Sequence, residues 1–256
     1  MRAPDPTSRD RDARPGRNDG EPPRWERLRL VRHERSSFDG RFYERGAELW
    51  PIARAASTFA DRDDWPEPAE YGAAFDGEGP VRFELAPARR RRPPGQPIVR
   101  ASLYDAMIVG RRIVPTRARM WHDFLNALVW ATFPRSKLAL HTRQHRAIER
   151  WIPEGATQLP NARTRELDAL ALVDEGGVLV LDFGEREIQV LFGHALFEGL
   201  VFGQPAMVAR AVTLDARGHE APTPEHVLGL ADVLLAATLE DEARVVSPDE
   251  LERVAL

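Results

Sequence analysis

The dipeptide Phe133-Pro134 constrains this chain more than any other feature. Proline lacks an N–H and restricts the residue before it, so a helix arriving at Phe133 must stop there. Pro134 suits the first position of a new helix. Two helices are therefore expected to meet at this point. On the first, Trp121, Phe124, Leu125, Leu128, Val129 and Thr132 recur at helical spacing and predict the buried face. His122 and Asn126 are four residues apart and share an adjoining face. Asp123 falls in the first turn, where a carboxylate suits the helix dipole.

The second helix is expected to run to Trp151, with Arg135, Ser136 and Lys137 in its first turn. Cations are electrostatically unfavourable at a helix N-terminus, whereas free N–H groups there attract anions. The sequence FPRSK thus reads either as an anion-binding corner or as two cationic side chains swinging into water. Further along, His141 and His145 have the spacing of paired metal ligands. The motif is H-T-R-Q-H, however, with no glutamate between them and with Arg143 and Arg146 crowding the pair. Surface or interhelix histidines are expected there, and no metal.

Composition sharpens one residue. Of the 36 Lys plus Arg residues, only Lys137 is lysine, and only Asn18, Asn126 and Asn161 are asparagine. A lysine that persists against such a bias is a candidate for a task that suits a compact point charge and not a planar fork. The absence of cysteine excludes disulfides, thiolate metal sites and a cysteine nucleophile. The net charge of −4 argues against wholesale nucleic-acid or membrane-surface binding. No apolar run approaches a membrane span and the first residues hold no signal sequence, so a cytoplasmic location is expected.

The remaining segments predict an α+β fold, mainly helical with a small, mostly antiparallel sheet. Residues 1–23 read as a disordered tail and 24–256 as a single domain. A helix and then a loop are expected over Trp25–Phe42, and helical structure over Tyr43–Ala60, broken near Pro51. A short helix follows over Trp65–Phe75, then a strand over Val81–Leu85. Arg89–Arg92 lie in a Pro-flanked loop. Leu103–Val114 resembles a hairpin or a strand with a tight bend at Gly110. Arg163–Leu181 reads as a second hairpin turning at Gly176-Gly177. Glu185–Phe202 has amphipathic helical spacing, with His194 and Glu198 four apart. A strand over Met207–Leu214 and a Thr223-capped helix from Pro224 to Thr238 complete the pattern.

The motifs VPTR (Val114–Arg117), WHDFLNALVW (Trp121–Trp130), FPRSKLAL (Phe133–Leu140), LDALALVDEGGVLVL (Leu167–Leu181) and FGHALFE (Phe192–Glu198) resemble a bacterial family catalogued as domain of unknown function 3025. The resemblance spans about residues 100–215. Met120 and His141 depart from it, each standing where asparagine is expected. The resemblance implies a bacterial origin and a shared fold, and no activity.

Three classes of function fit these residues. In a small-molecule enzyme, His122 would act as general acid or base, oriented by Asp123 or Asp168, with His194 and Glu198 completing the site. Asn126, Arg117, Arg135 and Lys137 would hold the substrate, plausibly through a phosphate. No spacing identifies a nucleophile or a cofactor. A metal-dependent variant would gather His122, His194, Glu198 and a hairpin aspartate. An RNA-binding module would use the arginines with Trp121 or Trp130 for stacking. In an interaction or structural protein, the polar groups would be buried partners of one another.

Overall fold

The computed structural model describes residues 35–88, 93, 95–158, 160 and 162–256. The expected tail, most of the Trp25–Phe42 segment and the Arg89–Arg92 run lie outside the described residues. Arg35 to Leu256 forms one compact unit.

The two helices joined at Phe133-Pro134 are present and form the centre of the fold. Before them come α1 (Trp50–Ser57), β1 (Arg82–Leu85), α2 (Tyr104–Arg111) and β2 (Ile113–Thr116). Helix α3 runs Trp121–Thr132 and α4 Pro134–Trp151. Along α3, Phe124, Leu125, Ala127, Leu128, Val129 and Trp130 are all fully buried. Its N-terminal half meets an aromatic cluster in which Phe38, Phe42, Trp65 and Trp121 surround Phe124. Trp121 and Trp130 are thus core residues, closed to base stacking.

The chain continues as α5 (Arg165–Gly176), β3 (Gly177–Asp182), β4 (Glu187–Leu191), α6 (His194–Val201), β5 (Val208–Asp215), α7 (Pro224–Glu240) and β6 (Glu252–Ala255). The fold is α+β and mainly helical. Its larger sheet has the order β4-β3-β5-β6, and β1 pairs with β2 separately. The expectation of a mostly antiparallel sheet is corrected here: β3 runs parallel to β5, β1 runs parallel to β2, and only β3–β4 and β5–β6 are antiparallel. The parallel β3–β5 pair needs a crossover, which β4 and α6 supply.

Local structure departs from expectation in three places. Leu103–Val114 is no hairpin: α2 fills most of it and ends at Arg112, which adopts a left-handed φ of 56° and turns the chain into β2. Arg163–Leu181 is helix followed by strand. Thr164 caps α5 by accepting the Leu167 N–H, and Leu167, Leu170 and Val173 face the core at helical spacing. Gly177 opens β3 in extended backbone and makes no turn, and a Cβ there would lie 2.4 Å from the Val173 carbonyl oxygen. Glu185–Phe202 divides at Gly193 into a strand and the short α6. No helix among the described residues is long and apolar enough to cross a membrane.

Candidate functional site

The site forms where three helix segments converge: the first two turns of α3, the C-terminal end of α5 and the first two turns of α6. Helix α3 brings His122 and, one turn on, Asn126. Helix α5 ends in Asp174 and Glu175. Helix α6 opens with His194 and carries Glu198 one turn further. The joint between α5 and α6 is Gly193. Its N–H and that of Phe192 both donate to the Gly177 carbonyl, at 2.9 and 3.0 Å. A Cβ at Gly193 would lie 2.5 Å from the Glu175 carbonyl oxygen and from the Gly176 and Gly177 nitrogens. Only glycine lets the two chain segments approach so closely.

At this joint the two imidazoles meet. His122 Nε2 and His194 Nε2 are 3.0 Å apart, with the rings at 72° to each other. On the far side of its ring, His122 Nδ1 lies 3.1 Å from Glu198 Oε2. Glu175 Oε2 lies 3.3 Å from His194 Nε2 and 3.9 Å from His122 Nε2. His194 Nδ1 faces the Asp174 carboxylate at 3.9 Å. Each imidazole therefore has a carboxylate behind it, and both point their outer nitrogens toward Glu175.

Charge follows burial. The hydrogen bond to Glu198 raises the pKa of His122 above that of a free imidazole. That bond also holds Glu198 below the usual carboxylate range. His194 is almost fully buried, and desolvation pushes its pKa down to about 3, keeping it neutral. The contact between the two Nε2 atoms takes one proton, and the tautomers of the two rings set which nitrogen donates it. Burial raises Glu175. The Asp174 carboxyl is well below its ordinary value: burial opposes this, and the Lys137 ammonium beside it prevails.

Lys137 is fully buried. Its ammonium donates to the Asp174 carboxylate and, at 2.8 Å, to Asn126 Oδ1. It also lies 5.6 Å from the centroid of the Trp130 ring. Asn126 Nδ2 in turn donates to the Tyr104 hydroxyl at 3.3 Å. The chain's only lysine is thus a buried cation that neutralises Asp174 and supports the wall behind His194. A buried lysine without such partners would shed its charge.

A cavity of about 350 Å³ opens over this cluster, lined by His122, His194, Glu175, Asp174, Asn126 and Tyr104, with Arg117 and Asp123 at its edge. Arg117 is held by Asp123: its Nη2 lies 2.6 Å from Oδ1, and its backbone N–H also donates to that carboxylate. Asp123 therefore braces the loop entering α3 and does not orient His122. The partner of His122 is Glu198. Asp168, the other expected partner, is exposed on α5 and belongs to no part of the cluster.

The anion corner at FPRSK is corrected too. The carboxylate of Asp232, on α7, accepts the backbone N–H groups of Arg135 and Ser136 at 3.2 and 2.8 Å. Ser136 Oγ donates to the Asp232 carbonyl at 2.8 Å. The protein supplies its own anion there, leaving the Arg135 side chain exposed and Lys137 turned inward. Of the two expectations for His141, surface or interhelix, the second holds: it is buried between helices. Its Nδ1 is 2.8 Å from Asp105, and its ring stacks on Trp130. Arg143 is buried as well, bonded to Glu166 and to the Leu239 and Asp241 carbonyls at the end of α7.

Sequence reasoning missed Asp174, Glu175, Asp232 and Asp105. The first two were hidden in a segment read as a hairpin turn. The only available signal for Asp174 was indirect, since a buried lysine requires a carboxylate.

These features define a mainly helical α+β protein with a two-histidine, carboxylate-lined cavity at a helix junction. Residues 96–188 match the family model described as Protein of unknown function (DUF3025). The matched span holds His122, Asn126, Lys137, Asp174 and Glu175; His194 and Glu198 lie beyond it. No curated protein and no solved structure matches the chain.

Proposed function

We propose that the cavity is the active site of a hydrolase acting on a small molecule. The observation that carries this reading is the convergence of His122 Nε2, His194 Nε2 and the Glu175 carboxylate on one point of the cavity wall. A water held at that point is polarised by groups that are themselves fixed from behind, His122 by Glu198 and His194 by its burial against Asp174. Such preorganisation is what lowers a barrier without reorganisation during the reaction. The water oxygen adds to an electrophilic carbon or phosphorus, its proton passes to the cluster, and the leaving group departs with a proton. Asn126 and Tyr104 form the polar wall against which the substrate is positioned.

The charge balance shapes the substrate class. Lys137 is neutralised by Asp174, and Arg117 by Asp123. The expected phosphate contacts to Arg135 and Lys137 are therefore not part of this reading. A neutral ester or amide, or an anion admitted by an added cation, fits the acidic wall. The test is a turnover screen over ester, amide and phosphate-ester substrates with wild type, His122→Ala and His194→Ala. One substrate class is expected to be hydrolysed, with at least ~100-fold loss in either variant. Equal rates in wild type and both variants would remove the reading.

A further inference from the structure

We infer that His122 Nε2, His194 Nε2 and Glu175 are the ligands of a divalent transition metal, with zinc the ion that best fits the donor set. This rests on the same cavity being the functional site and says what activates the water there. Three observations carry it.

The first is distance. Bonds of about 2.0–2.2 Å to imidazole nitrogen and carboxylate oxygen, at angles between a right angle and the tetrahedral value, place neighbouring ligand atoms about 3.0–3.5 Å apart. The three ligand atoms here are separated by 3.0, 3.3 and 3.9 Å. The longest gap involves the half-exposed Glu175 side chain, which needs only a rotamer adjustment to close it. Among the described residues, His122, Glu175 and His194 are the group of His, Asp and Glu side chains whose donor atoms lie this close together.

The second is the supporting partners. An imidazole that binds a metal through Nε2 characteristically gives its Nδ1–H to a carboxylate or carbonyl, which fixes its tautomer. His122 Nδ1 meets Glu198 at 3.1 Å, and Glu198 is in turn held by Arg35 at 3.1 Å. His194 Nδ1 lies 3.9 Å from the Asp174 carboxylate that Lys137 holds, beyond hydrogen-bond distance, so this ring is fixed by its burial and faces a negative charge without bonding to it.

The third is valence. Two imidazole nitrogens and a carboxylate oxygen point at one place. A single proton between the histidines satisfies only that pair. A cation satisfies all three atoms at once, and Glu175 has no Lys or Arg partner among the described residues to compete for it. Three protein ligands leave a fourth position for water on the cavity side, the arrangement of a catalytic and not a structural zinc site.

The experiment is metal binding by the full chain after chelator treatment and dialysis. Zinc is titrated by competition with a chromophoric chelator, and the visible spectrum of the cobalt-loaded protein is recorded. One ion per chain is expected, with a four- or five-coordinate cobalt spectrum. Glu175→Gln, whose side chain is partly exposed, is expected to keep the wild-type fold by circular dichroism, as is His122→Ala. Each is expected to weaken zinc at least ~100-fold, more than loss of a supporting partner does. His145→Ala, distant on α4, is expected to bind as wild type does. No stoichiometric binding, or equal affinity in Glu175→Gln, His122→Ala and wild type, overturns the metal site. Hydrolysis that survives chelation would also overturn it while leaving the hydrolase reading intact. Stoichiometric zinc lost in these variants, with no substrate turned over, would sustain the metal site and end the hydrolase reading.

Discussion

His122 and His194, 72 residues apart in the chain, face each other through their Nε2 atoms at 3.0 Å. Neither belongs to the other's local structure. They meet because α3 packs on α6, and because Gly193 lets α6 begin directly against the end of α5. The energetics of that meeting can be tested from several sides.

Glu198 holds His122 from behind, so Glu198→Gln keeps the shape and removes the charge. Zinc affinity is expected to fall about 10–100-fold, with hydrolysis falling alongside it. Arg35→Ala removes an exposed partner of Glu198 and is expected to change either quantity by less than about fivefold, since exposed ion pairs contribute about 0–1 kcal/mol. Parallel chelator competition and turnover assays on the two variants separate these outcomes.

Lys137 neutralises Asp174 inside the fold. Lys137→Met leaves a buried carboxylate without its cation and is expected to cost about 3–5 kcal/mol in denaturant unfolding. The double variant Lys137→Met/Asp174→Leu removes both charges and is expected to regain most of that loss. A double variant no more stable than the single one would show that the pair's value lies elsewhere.

Two glycines give opposite outcomes for the same substitution. Gly193→Ala places a methyl 2.5 Å from three backbone atoms of the α5–β3 joint, so the thermal midpoint is expected to drop and the His122–His194 geometry to be lost. At Gly229, inside α7, a Cβ meets nothing within 4 Å. Gly229→Ala is expected to stabilise the protein by about 0.5–1 kcal/mol through helix propensity. Thermal unfolding of both variants checks the pair.

Asp232 caps α4. Asp232→Ala strands the Arg135 and Ser136 N–H groups and is expected to cost about 1–3 kcal/mol, whereas Arg135→Ala should be near neutral. Urea titration distinguishes them. Equal effects would contradict the cap.

Much of the helical frame was legible beforehand. Helices α3, α4 and α7 show in the 3.6-residue spacing of Trp121, Phe124, Leu128 and of Val227, Leu234, and in the prolines and Thr223 at their starts. His122 and Asn126 on one face follow from the same period. The segment over Leu167–Leu181 misled because a glycine pair between apolar runs has two uses. It can turn a hairpin, or it can end a helix where another backbone passes close by. Only the presence of Phe192 and Gly193 against Gly177 decides between them.

By itself, the sequence determined where α3, α4 and α7 start and stop, because caps, prolines and apolar periodicity act over a few residues. It also marked Lys137 as unusual through composition. Tertiary structure alone decided that Asp232 fills the α4 N-terminus, that Lys137 points inward to Asp174, and that His194 and Glu175 face His122. The reason is physical: these groups are 37 to 97 residues from their partners in the chain. Burying a charge or an imidazole is tolerable only where packing delivers a partner, and no local pattern records which one.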